Sequence, residues 1–196
     1  MTVPNRVQTP SPTVRRDENY DDATLVARAR DGDTRAYEQL VSRYQVPIFG
    51  LATRMLRDRG DAEDTVQEVF LNAWRHLDQL HDGAAFLGWL CRATTNRCLN
   101  TLRARRPVRR EDFDQLPSPH AAQRPDHAAQ TSAQLAALLA ALDQLTADQR
   151  ACWLLREVHG LSYADIAAAV ETSATAVRGR IARARAHLAE AMTPWR

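Results

Sequence analysis

The segment SATAVRGRIARARAHLAE, residues 173–190, contains four arginines and one glutamate. Its apolar residues Val177, Ile181 and Leu188 recur at helical spacing, and small residues occupy the opposite side of the predicted helix. Small side chains let a helix backbone approach the major groove of DNA closely, and flanking arginines reach phosphates or guanine edges. A solvated basic helix is the alternative, and charge alone leaves both interpretations open. The outward face would consist of Thr175, Gly179, Ala182 and Ala186, with Arg178 and Arg185 along one side and Arg180 and Arg183 along the other.

A second charged cluster lies in DRGDAEDTVQE, residues 58–68, where five acidic residues stand against one arginine. Acidic residues stabilise a helix N-terminus, which accounts for those of the first turn, with Asp61 as the predicted N-cap. It accounts less well for Gln67 and Glu68, which lie further along the exposed side. An acidic surface of this kind would repel DNA and suits a basic protein partner.

A third cluster, RARRPVRR at residues 103–110, places five arginines where a helix is predicted to end. Positive charge at that position compensates the helix dipole. Five arginines exceed that need, and a track for nucleic-acid phosphates is an equally good interpretation.

Composition limits the classes of function. The 196 residues include 26 arginines, no lysine and 24 acidic residues, so the formal net charge is only +2. Contact with nucleic acid must therefore depend on locally segregated charge. The sequence has no HExxH motif, no phosphate-binding glycine loop and no GxSxG motif, and its histidines and cysteines lack metal-ligand spacing. We expect no enzyme activity, metal, cofactor or small-molecule substrate.

The three cysteines, Cys91, Cys98 and Cys152, are predicted to be reduced thiols in the core. The first two are seven residues apart, about 10 Å along a helix axis, which is too far for a disulfide. The sequence shows no signal peptide and no run of about 18 apolar residues. These features predict a cytoplasmic protein without membrane insertion.

Helical periodicity runs from residue 21 to 106 and again from 133 to 193, and no strand pattern competes with it. Residues 1–20 are predicted to be a flexible tail. Residues 107–132 contain four prolines and lack periodicity, which indicates a flexible linker. The predicted fold class is therefore all-α, with two small helical domains joined by that linker.

Helix start signals divide the second domain. Thr146 and Gln149 form a capping-box pattern, and Ser162 and Ser173 are predicted N-caps of two further helices. A short helix after Ser162, a turn at Glu171 and a longer helix after Ser173 match the helix-turn-helix format. The candidate groove face therefore lies on the second helix of this motif.

Three segments, in this order, resemble the extracytoplasmic-function sigma factors of the sigma-70 superfamily: DAEDTVQEVFLNAWRHL, FLGWLCRATTNRCLNTLR and LTADQRACWLLREVHGLSYADIAAAVETSATAVRGRIARARAHL. The resemblance covers residues 21–106 and 133–190. It implies that 21–106 is a region 2 domain, which binds core RNA polymerase and the −10 promoter element. It implies that 133–193 is a region 4 domain, which reads the −35 element of promoter DNA. Control by an anti-sigma factor is also implied.

The resemblance further implies roles for single residues. Asp64, Gln67 and Glu68 match the family's core-binding helix, while the neighbouring Phe70 packs in the core. Asn96 matches an asparagine at the −10 pocket, and the loop from Asp78 to Ala85 matches one that captures a flipped-out base. With the basic cluster, the −10 set is Asp78, Gln79, Leu80, His81, Asn96, Arg103, Arg105 and Arg106. The −35 set is Thr175, Arg178, Gly179, Ala182 and Arg183. Phe86 and Trp89 are predicted to be core residues rather than stacking platforms.

The sequence departs from the family pattern in the helix-turn-helix. Glu171 stands where a small residue is frequent, Thr175 and Ala176 replace a Gly-Thr pair, and Gly179 replaces a hydroxyl residue. These departures leave the −35 sequence open. In the linker, Glu111, Asp112 and Asp114 would either mimic nucleic-acid charge inside the polymerase or lie on a solvated tether.

Two other functions fit the sequence less well. A dimeric helix-turn-helix regulator that works without polymerase core is disfavoured by the acidic surface at 58–68 and by the lack of an evident dimerisation helix. An enzyme carrying a helix-turn-helix is disfavoured by the lack of site motifs.

Overall fold

The computed structural model describes residues 20–80, 82–105 and 127–195, and within these ranges the chain is helical and has no β-strand. The eight α-helices of these ranges are α1 (Asp22–Arg30), α2 (Thr34–Leu56), α3 (Arg59–Arg75), α4 (Phe86–Ala104), α5 (His127–Gln144), α6 (Ala147–Glu157), α7 (Tyr163–Ala169) and α8 (Ala174–Ala191). Short 3-10 helices are Leu77–Gln79, Gly83–Ala85 and Thr193–Trp195. The predicted all-α fold class is confirmed.

The first four helices pack around α2, which contacts α1, α3 and α4. Leu40, Ile48 and Leu90 are among the side chains that this packing removes completely from solvent. The Tyr37 hydroxyl donates to the Phe70 carbonyl oxygen and so joins α2 to α3. Helices α2 and α3 therefore pack as one unit, and α4 contacts both of them.

In the second group, α8 packs against α5, α6 and α7. Its buried residues are Val177, Ile181, Ala184 and Leu188, which is the stripe that the apolar spacing predicts. Helix α7, the following turn and α8 form the predicted helix-turn-helix.

The predicted N-caps of the second group are confirmed. The Thr146 hydroxyl accepts from the Gln149 N–H, while the Gln149 side chain accepts from the Thr146 N–H. Ser162 and Ser173 each accept a backbone N–H from the first turn of the helix that follows. Side-chain oxygens thus satisfy donors that a helix start leaves unpaired.

The predicted N-cap of α3 is wrong. Asp58, rather than Asp61, is the cap, because its carboxylate accepts from the Asp61 N–H at 2.9 Å. Helix α3 consequently begins at Arg59, and the glycine after it is helical. The break before this helix is therefore shorter than the DRGD sequence suggests.

The two groups of helices pack against each other, with α4 against α6 and α7, and α2 against α6. Buried side chains of both groups form one continuous cluster. Arg150 of α6 is 6% exposed, and its guanidinium donates to the carbonyl oxygens of Arg54 and Met55 at 3.3 Å. Next to it, Arg57 pairs with Asp143 at 2.7 Å. The second group therefore holds the C-terminal end of α2.

Cys91, Cys98 and Cys152 are buried free thiols, as predicted. Burial raises the pKa of Cys91 and of Cys98 to about 12. Residues 1–19 of the predicted tail and 107–126 of the predicted linker, with its acids Glu111, Asp112 and Asp114, lie outside the described residues. Residues 127–132, which were predicted to belong to the linker, form the first part of α5 instead. The domain boundaries therefore stay a prediction.

Candidate nucleic-acid and protein interfaces

Helix α8 presents to solvent the face that the sequence assigned to a DNA groove. Thr175, Arg178, Ala182 and Arg183 are exposed, and Gly179 is half-buried. A β-carbon at Gly179 would lie 3.5 Å from a nitrogen of the flexible Arg183 side chain. Packing within the protein therefore does not require glycine at this position. Because glycine has no side chain, it leaves a shallow surface between the arginines.

The four arginines of α8 fall into two kinds. Arg180 pairs with Asp148 at 3.0 Å, and Arg185 pairs with Glu157 at 2.5 Å, so both fasten α8 to α6. In the part of the chain that the structure describes, Arg178 and Arg183 form no ion pair. All four arginines were predicted to flank the groove, and Arg180 and Arg185 are instead engaged with α6. The two that remain available, Arg178 and Arg183, are those of the predicted −35 set.

The turn before α8 contains a left-handed residue. Glu171 has a φ of 51°, and the Thr172 N–H donates to the Ala167 carbonyl oxygen at 3.0 Å, a bond typical of a helix C-terminus that closes with such a residue. A non-glycine side chain is strained in this region. Glu171 therefore occupies a backbone conformation that glycine adopts without this strain.

The acidic surface of α3 carries less net negative charge in the folded protein than residues 58–68 carry by themselves. Glu68 pairs with Arg97 of α4 at 2.8 Å, and Asp61 pairs with Arg105 at the end of α4. These arginines offset two of the excess negative charges of residues 58–68. Asp64 and Gln67 are exposed on the same helix, so they are the more available of the predicted core-binding residues.

An apolar groove lies beside Gln67, between α2 and α3, and sequence reasoning missed it. Its volume is about 780 Å³, and Tyr37, Val41, Phe49, Val66, Phe70 and Trp74 are among its lining residues. Val46 is 72% exposed and Leu71 is 50% exposed along its edge. Trp74 follows Val66 and Phe70 at intervals of four residues, a spacing that predicts a buried helix face, yet it is 38% exposed. Exposed apolar patches of this kind mark protein contacts.

The predicted −10 residues are spread along α4. Asn96 is half-buried and Arg103 exposed, and because they are seven residues apart they share one face of the helix. The Arg103 guanidinium donates to the Asn100 side chain at 3.1 Å, and Arg105 is held by Asp61. This end of α4 thus carries positive charge beside the start of α3.

The predicted base-capturing loop lies at the opposite end of α4 and packs against α1. Asp78 and Gln79 are exposed, whereas the Leu80 side chain is buried at 9% exposure and belongs to the core. His81 and Arg106 lie outside the described residues. The predicted −10 set therefore spans the length of α4, about 28 Å for 19 residues.

The aromatic residues of this region follow the core prediction. Phe86 is 1% exposed, and Trp89 is half-buried against the core. Both support the position of α4 rather than offering rings to solvent.

Two further properties concern ligands and membranes. In residues 20–80, 82–105 and 127–195, no group of three or more histidine, cysteine or acidic side chains is arranged to hold a metal ion. Among the helices described, none has the length and apolarity that crossing a lipid bilayer requires.

Two family models match the chain: Sigma-70 region 2 over residues 40–108 and Sigma-70 region 4 over residues 135–188. The RNA polymerase sigma-H factor of Pseudomonas aeruginosa is 37% identical over 182 residues, covering 88% of this chain and 94% of that protein. The ECF RNA polymerase sigma-E factor of Escherichia coli is 34% identical, covering 86% of this chain and 92% of that protein.

Solved structures show the same fold. CnrH, determined in complex with the cytosolic domain of CnrY, superposes with a TM-score of 0.63 at 30% identity and covers 86% of this chain and 95% of that chain. RpoE of Bartonella quintana, determined with the anti-sigma factor NepR, superposes with a TM-score of 0.61 at 24% identity, covering 80% and 96%. At that identity the second likeness supports the fold alone.

Proposed function

The chain belongs to the extracytoplasmic-function sigma factors of the sigma-70 family, and we propose that its two helical groups divide the work of promoter-specific initiation. The first group binds core RNA polymerase and the −10 element, and the second reads the −35 element. The observation that carries this proposal is α8, where Arg178 and Arg183 stay free of internal carboxylates on either side of a small-residue surface.

The −35 element is read as duplex DNA by α8. Thr175, Gly179 and Ala182 let the backbone enter the major groove, while Arg178 and Arg183 donate to guanine edges or phosphates. Arg180 and Arg185 instead form ion pairs with carboxylates of α6. These ion pairs hold α8 at a constant angle to α6, so the two free arginines meet the groove in a defined register.

Core RNA polymerase is bound by α3 and the adjoining apolar groove. Asp64, Gln67 and Glu68 supply polar contacts to a basic partner. The groove beside them, with Leu71 and Trp74 at its edge, supplies apolar area that polar contacts alone lack. Aromatic side chains that become buried when a partner binds carry much of the binding energy in protein interfaces.

The −10 element is contacted along α4. Asp78, Gln79, Leu80 and His81 belong to the loop that captures a base, and Asn96 lies midway along the helix. The arginines Arg103, Arg105 and Arg106 supply phosphate contacts at its end. Leu80 would serve through its backbone, because its side chain is buried.

The chain acts by binding and positioning in the cytoplasm and has no catalytic activity, cofactor or small-molecule substrate of its own in this proposal. An anti-sigma factor controls it by covering these surfaces. CnrH, which is 30% identical to this chain, was solved in complex with the cytosolic domain of CnrY.

The direct test is promoter binding and run-off transcription with purified core RNA polymerase. We expect Arg178→Ala and Arg183→Ala each to weaken −35 recognition by about 1–3 kcal/mol, because each loses a base or phosphate contact. Arg30→Ala, at an exposed arginine of α1, is the matched control. Unchanged promoter affinity in both α8 variants would remove the recognition-helix assignment.

Core binding is tested separately by charge reversal. Asp64→Arg is expected to lower affinity for core RNA polymerase while leaving binding of the isolated −35 duplex unchanged, because α3 carries no −35 contact. Asp31→Arg, which reverses an exposed carboxylate at the end of α1, is the control. Equal core affinity of the Asp64→Arg variant and the control would contradict the assignment.

A further inference from the structure

Tyr163, the first residue of α7, lies between two arginines of neighbouring helices. The Cζ atom of Arg156 in α6 is 4.8 Å from the centre of the Tyr163 ring, and that of Arg178 in α8 is 5.3 Å from it. Both distances are within the range of about 6 Å for a cation–π interaction. One half-buried ring thus contacts the predicted DNA-reading arginine and a second guanidinium behind it.

The arrangement is anchored on the side of α6. An Arg156 guanidinium nitrogen donates to the Leu161 carbonyl oxygen at 2.8 Å, which fixes this arginine against the loop before α7. The next residue, Glu157, holds Arg185. Because Arg178 and Arg185 are seven residues apart, they lie on one side of α8. This side of α8 is therefore held at two points, by the Tyr163 ring at Arg178 and by Glu157 at Arg185.

We propose that Tyr163 is a positioning residue that orients Arg178 for the −35 element, an inference that rests on the proposed function. An arginine side chain loses rotamer freedom when it binds DNA. Contact with the ring takes up part of that ordering in advance, and it engages the π face of Tyr163 rather than a hydrogen-bond acceptor. The N–H groups point outward in the guanidinium plane and stay free to donate to a base edge or phosphate.

Arg183 provides an internal comparison. It is exposed on the same helix, and in the described part of the chain no aromatic ring lies within cation–π distance of it. Loss of the Tyr163 ring should therefore change what Arg178 contributes and leave the contribution of Arg183 intact.

The test is a double-mutant cycle on the full-length protein, measured as affinity for a −35 duplex within the polymerase holoenzyme. Tyr163→Ala is expected to weaken binding about 3- to 10-fold, and Tyr163→Phe to restore most of it because the ring remains. In the Arg178→Ala background, Tyr163→Ala should add less than twofold. In the Arg183→Ala background its full effect should persist. Tyr163→Leu, which keeps apolar volume, serves if the alanine variant unfolds on thermal melting.

Two results separate the hypotheses. An equal effect of the Tyr163 substitution in both arginine backgrounds, or a Tyr163→Phe variant as weak as Tyr163→Ala, would overturn the positioning role alone. Wild-type affinity in both Arg178→Ala and Arg183→Ala would overturn the −35 assignment itself and this inference with it.

Discussion

Gly83 lies where the loop between α3 and α4 approaches α1 most closely. A β-carbon at this position would be 2.7 Å from the Ala23 α-carbon and 3.2 Å from the Val26 β-carbon. The first of these atoms is helix backbone and cannot rotate away. The glycine therefore allows the predicted base-capturing loop to rest on α1.

We expect Gly83→Ala to lower the free energy of unfolding by about 1–3 kcal/mol, the usual cost of overpacking, and to weaken open-complex formation, because the loop must move. Urea unfolding and permanganate footprinting of the −10 region measure the two effects. Gly88→Ala is the control, since nothing lies within 4 Å of a β-carbon there and a helical alanine gains about 0.5–1 kcal/mol. A Gly83→Ala variant as stable as the control would contradict the close approach.

Local chemistry was sufficient to predict many individual residues. Thr146, Ser162 and Ser173 were recognisable as caps because capping depends on residues within three positions along the chain. The pairing of Glu68 with Arg97 was not recognisable, because it depends on how α3 and α4 pack. The charge of the predicted core-binding surface was accordingly overstated from sequence.

At the scale of the element, the end of α2 depends on a residue far along the chain. Its last carbonyl oxygens have no hydrogen-bond donor within the helix. The Arg150 guanidinium supplies one, because it donates to the carbonyl oxygens of Arg54 and Met55. The same side chain donates to the Leu145 carbonyl oxygen at 3.2 Å. One buried arginine thus caps α2 and ties it to the start of α6.

We expect Arg150→Ala to lower the free energy of unfolding by about 1–3 kcal/mol, because buried carbonyl oxygens lose their donor. Arg35→Ala removes an exposed arginine at the other end of α2 and is expected to change stability by less than about 0.5 kcal/mol. Denaturant titration of both variants gives the comparison. A loss no larger than that of the control would show that the junction does not need this arginine.

Helix existence and the helix-turn-helix followed from periodicity, but the apolar groove between α2 and α3 did not. Trp74 belongs to an apolar pattern, and a pattern does not distinguish a core position from one that a partner covers. Only the packing of α2 shows that the α3 side chains beside it stay partly exposed.

At the scale of the whole molecule, the junction contains a histidine that links stability to pH. Burial lowers the pKa of His159, and the nearby Arg54 lowers it further. The folded protein therefore keeps this imidazole neutral at a pH where the unfolded chain, with a pKa of about 6.5, already binds a proton. Stability attributable to His159 is complete above that pH and falls as the pH decreases through it.

We expect the free energy of unfolding to fall between pH 7.5 and 5.5, and to fall less in a His159→Gln variant. Urea unfolding across this range measures both slopes. Equal slopes in the two proteins would show that His159 does not contribute.

The Arg150 contact has a consequence for the exchange of parts between relatives. A chimera that joins the first four helices of this chain to the last four of another sigma factor keeps α2 but takes the residue that caps it from the other parent, and the cap is lost where that parent has no arginine at this position. Each half would then be intact, yet their junction would be mismatched. Recombinants should therefore inherit residues 54–57 and 143–150 from the same parent, which makes this contact a design rule for hybrid sigma factors.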